Sequence, residues 1–181
     1  MKSLLLVLVS MLTIMDVNAQ VLYNHGDTIK GKAVSYYCVE LIPNRTIRVR
    51  NTQNKDTLSN MYFDDGKIVP DDRMLESNYN FEFEQFIQTF KDALTFQEIN
   101  QLKNARGSFI VNVVTDKAGN ALELDFIFPK NDPVLSKFAP DRLFQLETKL
   151  KKLLKLNIGG EDRKIKNVKY MVVISFNKDL K

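Results

Sequence analysis

Residues 108–128 read SFIVNVVTDKAGNALELDFIF, and this stretch decides the fold. Ser108 to Asp116 is rich in β-branched residues, Lys117-Ala118-Gly119-Asn120 is a polar turn containing a glycine, and Ala121 to Phe128 resumes the apolar pattern. In the second run Leu122, Leu124, Phe126 and Phe128 alternate with Glu123, Asp125 and Ile127, the period of two that sends successive side chains to opposite faces of a strand. A β-hairpin is expected, with one face in the core and the other, bearing Glu123 and Asp125, in solvent.

Towards the C-terminus, a loop with Pro129 and Pro133 leads to Pro140, which suits the first turn of a helix because its missing N–H is not needed there. Leu143, Leu146, Leu150, Leu153 and Leu154 mark one helical face, and Lys149, Lys151, Lys152 and Lys155 crowd the end where cations complement the helix dipole. Gly159-Gly160 is expected to stop this helix. Val168 to Phe176 then reads as a strand, with Tyr170, Val172, Ile174 and Phe176 on one side and Met171 and Val173 on the other, a pattern expected to be buried on both faces. With one helix between it and the hairpin, the right-handed crossover rule sets it parallel to the second hairpin strand and beside the first. The last strand then lies at a sheet edge.

Towards the N-terminus the period changes. Phe83, Phe86, Ile87, Phe90 and Leu94 recur at helical spacing, and Thr95-Phe96-Gln97-Glu98 has the form of a capping box, so two short helices, or one broken near Thr95, are expected before Gly107. Before residues 76–80 the chain is β-rich, with turns at His25-Gly26-Asp27, Pro43-Asn44 and Asp65-Gly66. Candidate strands are Thr28 to Cys38, Thr46 to Asn51, Thr57 to Phe63 and Lys67 to Val69. The fold class is α+β: a β-rich N-terminal region over 20–78 followed by a helix-strand-strand-helix-strand unit over 79–181.

Residues 1–19 have the three parts of a cleaved secretory signal: Lys2, an apolar run from Leu4 to Met15, and the small-residue site Val17-Asn18-Ala19. That run is too short to span a bilayer, so a product that is exported to the periplasm or beyond and does not span the membrane is expected. The 181 residues are 44% hydrophobic and 27% charged, which excludes a disordered chain. One cysteine excludes an internal disulfide, and Cys38, inside an apolar stretch, is expected to be buried.

Residues 81–176 resemble the C-terminal domain of TonB, the periplasmic energy transducer, through the element order and through the segment from Gly107 to Ala121. In that family the last strand's edge receives an extended segment of an outer-membrane transporter. The resemblance implies such an edge at Lys169 to Phe176, with Lys169, Tyr170, Val172, Ile174 and Phe176 as partner-binding residues. This sequence departs from the family in having no uncleaved anchor, no proline-rich spacer and no Tyr-Pro pair before the first helix. Gly26 to Ala33, followed by Ile47 to Arg50, is similar to segments of uncharacterised exported proteins of gut bacteria. Asp27-Thr28-Ile29 and Asp56-Thr57-Leu58 resemble the Asp-Thr-aliphatic O-glycan acceptor of such bacteria.

Few residues could carry catalysis. His25 is the only histidine and sits in a turn, no phosphate loop or zinc motif occurs, and no catalytic residue, cofactor or metal ligand is assigned. Asp64, Asp65, Asp71 and Asp72 are read as turn residues. From Arg142 to Lys169 nine basic residues face three acidic ones. Export removes nucleic acid as a partner, so an envelope protein, or an anionic glycan or lipopolysaccharide drawn to Lys149 and Lys152, is expected instead. The leading expectation is a non-enzymatic binding module of the bacterial cell envelope. The alternatives are a hydrolase acting on glycan or peptide with paired carboxylates from Asp64, Asp65, Glu123 or Asp125, and a structural accessory to a transporter.

Overall fold

The computed structural model describes residues 22–42 and 44–181. The expected signal segment 1–19 lies outside the described residues, as does Pro43 of the expected Pro43-Asn44 turn.

The elements, in chain order, are β1 (Thr28–Lys30), β2 (Ser35–Leu41), β3 (Thr46–Asn51), β4 (Asn78–Tyr79), α1 (Phe83–Lys91), α2 (Phe96–Asn104), β5 (Ser108–Thr115), β6 (Ala121–Pro129), α3 (Pro140–Leu153), β7 (Leu156–Asn157), β8 (Lys169–Ser175) and the short turn α4 (Phe176–Asp179). The fold is α+β. Six strands form one antiparallel sheet in the order β1-β2-β3-β6-β5-β8, and β4 pairs with β7 in a separate ribbon.

The hairpin of β5 and β6 turns at Gly119, whose φ of +82° and whose Cα, packed against the Leu156 carbonyl, leave no room for a side chain. β8 pairs antiparallel with β5, Val111 opposite Val172, and so runs parallel to β6 at the end of the sheet. On the far side, β3 pairs with β6, Val49 opposite Phe126, so strands from residues 20–78 and 79–181 share one sheet. They also share one core. Tyr36, Cys38, Ile47 and Val49 from the first stretch are buried with Phe90, Phe109, Phe126, Leu150 and Ile174 from the second. Phe109 sits at the centre, its ring 4.7 Å from Phe90 and 5.5 Å from Phe126. Cys38 is fully buried, and burial pushes its thiol up to about 12.

The helices cover one face of this sheet. Phe86 and Phe90 of α1, Leu102 of α2, and Leu143, Leu146 and Leu150 of α3 point into the core. α1 and α2 are separate because Thr95 caps α2: its hydroxyl accepts from the Glu98 N–H at 3.2 Å while the Glu98 carboxylate accepts from the Thr95 N–H at 2.7 Å. Pro140 opens α3.

Several expectations are corrected. Thr28 to Cys38 is two strands, β1 and β2, because the Gly31 N–H turns back onto the Val34 carbonyl. Thr57 to Phe63 and Lys67 to Val69 form no strand, only isolated bridges: Tyr62–Ile68 around the Asp65-Gly66 turn and Phe63–Ile165. α3 ends at Leu153, before the glycines, because the chain extends there to place β7 beside β4. Phe176 leaves the strand and opens α4. β8 is buried on one face only: Val172 and Ile174 are in the core, whereas Met171 is exposed. The expected solvation of Glu123 and Asp125 also fails, since Asp125 has no exposed surface at all and Glu123 is only partly exposed. A roof over the opposite sheet face explains this.

Candidate functional site: the outer edge of β8 and the cleft behind it

In an antiparallel pair, alternate residues turn their backbone groups toward the neighbour strand and away from it. On β8 the outward set is odd-numbered. The Lys169 N–H meets the Met61 sulfur at 3.3 Å, the Met171 carbonyl accepts from the Tyr79 hydroxyl at 2.9 Å, and the Ser175 N–H donates to the Asp179 carboxylate at 2.7 Å. Between these, the outward backbone groups of Val173 have no partner among the described residues. Both ends of the edge are therefore tied down and its middle is open.

Aromatic rings flank the open stretch. Tyr79 lies 5.5 Å from Tyr170 and 5.3 Å from Phe81, and Phe81 continues to Phe86 at 6.3 Å. A cleft of about 240 Å³ between Leu75, Tyr79, Leu156 and Tyr170 borders this strip. Burial pushes the Tyr170 hydroxyl above the ordinary tyrosine range, and that hydroxyl has no hydrogen-bond partner among the described residues.

The sheet face away from the helices is roofed at this end by residues 52–62, which three anchors hold down. The Glu123 carboxylate accepts from the N–H groups of Lys55, Asp56 and Thr57 at 2.7, 2.8 and 3.0 Å. The Asn54 side chain donates to the Leu124 carbonyl at 2.6 Å. The Lys169 ammonium donates to the carbonyls of Asp56 and Ser59 and to the Ser59 hydroxyl. Burial pulls the Lys169 pKa down against the opposing pull of Asp56, Glu123 and Asp125.

Under the roof lies a polar cleft of about 210 Å³ lined by Arg48, Thr57, Asn112, Lys169 and Met171. Asp125, opposite both Arg50 on β3 and Asn112 on β5, sits beside it. One of its oxygens accepts from the Asn112 amide at 2.5 Å, and the other faces the Arg48 Nε at 3.7 Å, too far for a hydrogen bond. Burial raises the Asp125 pKa, although Asn112, Arg48, Arg50 and Lys169 oppose the shift.

Of the residues expected to bind a partner, Lys169 and Tyr170 border both the edge and the polar cleft. The side chains of Val172, Ile174 and Phe176 are buried in the core, so at these positions only the strand's backbone is near the edge. Lys149 and Lys152 are exposed on α3, but α3 packs on β6 and α1, so the structure does not bring them to β8. The carboxylates considered for hydrolysis are committed elsewhere: Glu123 to the roof, Asp64 to Lys117 at 2.7 Å and Asp65 to Lys67 at 2.8 Å. His25 Nδ1 accepts from the Glu40 N–H at 3.2 Å.

The sequence reading missed the roof and the polar row Arg50–Asp125–Asn112. The alternation of Arg48 and Arg50 with Ile47 and Val49 signalled outward arginines. Their meeting with Asp125 depends on pairing strands about 75 residues apart, which no local pattern encodes. Two buried acids were also missed. Glu147 of α3 accepts from the Tyr36 hydroxyl at 2.7 Å and pairs with Lys151 at 2.7 Å. Asp162 accepts from Arg73, the N–H groups of Glu76 and Ser77, and the Ser77 hydroxyl.

Among the described residues no helix is long and apolar enough to cross a membrane. No family model and no curated protein matches the sequence. Among solved structures, the chain is similar to the crystal structure of a DUF5043 family protein from Bacteroides uniformis, with a TM-score of 0.71 and 17% sequence identity over 86% of this chain and 88% of that one. This neighbour supports the α+β fold without supporting a TonB assignment for residues 81–176. At that identity the likeness is one of fold alone: this chain shares its architecture with a DUF5043 protein.

Proposed function

We propose that this protein is an exported, non-enzymatic binding module of the cell envelope that receives an extended segment of an envelope protein along the outer edge of β8. The observation that carries the reading is the unbonded outward backbone of Val173, on a seven-residue strand that ends the sheet. Strand addition draws affinity from such groups and specificity from clefts that take alternate side chains of the guest. The cleft beside Tyr79 and Tyr170 supplies one. The resemblance of residues 81–176 to a domain that binds in this way, and the signal-like segment 1–19, support the same reading from the sequence.

A photo-crosslinker placed at Met171 in cells tests it, with Lys30 on the opposite sheet edge as the control position. One discrete protein adduct from position 171, none from position 30, and its loss on Val173→Pro are the expected results. Val173 is the informative site because its amide faces outward, so proline there removes a donor for the guest without cutting the ladder to β5. Val172→Pro would break that ladder. An adduct that persists in the Val173→Pro protein would refute the edge as the docking surface.

A further inference from the structure

We propose that the cleft at the end of the central strands β3, β6 and β5 is a binding site for a phosphate group. β3 and β5 begin where β6 ends, since both pair with it antiparallel. The residues that enter β3 and β5 therefore meet those that leave β6, and Arg45, Arg106 and Asn131 line a cleft of about 320 Å³ walled by Pro129 and Pro133. No residue of β8 borders it, so the site is independent of the docking edge. Arg45 and Arg106 stand on either side of β6, their Cα atoms about 10 Å apart by strand spacing.

Two features of these arginines point to an anion. Arg48, Arg73 and Arg142 each face a carboxylate, whereas Arg45 and Arg106 are exposed and have no carboxylate partner among the described residues. An anion between two like charges removes their mutual repulsion. Arg45 also has a φ of +48°, the only positive φ outside glycine among the described residues. That left-handed conformation suits glycine or asparagine, so this turn carries an arginine against its backbone preference. The one acid in the lining is spent inward: Asp132 is 3% exposed, and its Oδ1 accepts from the N–H groups of Val134 and Leu135 at 2.9 and 2.7 Å. Nearby Lys130 is occupied by Glu40 at 2.6 Å.

The number of acceptors selects phosphate over carboxylate. One guanidinium fork can occupy both oxygens of a carboxylate, whereas a phosphate has oxygens enough for two forks from opposite sides. The side-chain amides of Asn44 and Asn131 can donate to what remains. Free phosphate and a phosphate monoester on an envelope component present this same group.

The test is an NMR titration of the isotopically labelled chain, at fixed ionic strength, with inorganic phosphate, glycerol 3-phosphate and acetate. Saturable shifts of the Arg45 and Arg106 Nε–H groups and of the Asn131 side-chain amide are expected with at least one of the phosphates, at higher affinity than with acetate. Tighter binding of glycerol 3-phosphate than of phosphate assigns the site to an ester, and equal or weaker binding assigns it to the free ion. Arg45→Gly and Arg106→Gln are each expected to weaken binding by about tenfold. Arg45→Gly should do so without lowering the urea midpoint, because glycine accepts the positive φ. The proposal is overturned by the absence of saturable shifts with both phosphates, by acetate binding as tightly, by unchanged affinity in either variant, or by a lower midpoint for Arg45→Gly.

Discussion

Replacing Asp162 with alanine would leave the Arg73 guanidinium and the amides of Glu76 and Ser77 without the carboxylate they share. Burial disfavours the charged carboxylate, but these donors outweigh that effect and hold its pKa below the ordinary value. Asp162→Ala should therefore destabilise the fold by about 3 kcal/mol in urea denaturation, as breaking a buried charged network does. Glu98 makes a second prediction. Two contacts from Arg142, at 2.9 and 2.8 Å, hold its pKa down to about 2, against 4.5 for an ordinary glutamate. A depressed carboxylate stabilises the folded state above its unfolded pKa, and that contribution is lost as pH falls from 4.5 through about 2. Glu98→Gln should remove on the order of 1–2 kcal/mol at neutral pH and flatten the acid loss of stability measured by denaturant midpoints. The Thr95–Glu98 capping box was legible in four consecutive residues, whereas the reach of Arg142 to Glu98 spans 44 positions and was not.

Elements with local signatures were readable: the β5–β6 hairpin from alternation around a glycine turn, α1 and α2 from helical spacing and a cap, and α3 from its proline and leucine face. The segment 52–62 was not, because its mostly polar residues carry no periodic pattern and its backbone groups bond to the side chains of Glu123 on β6 and Lys169 on β8, far away in sequence. Glu123 alone holds three consecutive backbone amides of that segment. Glu123→Gln should speed hydrogen exchange at the Lys55, Asp56 and Thr57 amides, corresponding to a loss of about 1–2 kcal/mol of local protection, with the core amides of β5 unchanged. Equal acceleration throughout the sheet would mean instead that the roof has no local stability of its own.

At the scale of the molecule, composition suggested a change of character near residues 76–80, yet the sheet crosses it through β3 and β6. Without residues 20–78 the β6 edge and the Phe126 environment lose Ile47 and Val49, so the fragment 79–181 should lack fixed packing, seen as poor dispersion in its amide NMR spectrum. Phe109→Ala, at the centre of the aromatic stack, should cost about 3–5 kcal/mol in a single unfolding transition of the whole chain. The position of β8 at the end of the sheet followed from the crossover rule; the ties at Lys169 and Met171, which together with the local Ser175–Asp179 contact leave its middle open, did not, since they depend on Met61 and Tyr79, side chains distant in sequence. Residue-resolved amide exchange on the free chain probes that open edge most directly. Tyr170, Val172 and Ile174, bonded to β5, should be strongly protected, and Val173 should exchange many-fold faster; protection at Val173 equal to that of its neighbours would mean that the edge is already covered and that no strand can be added there.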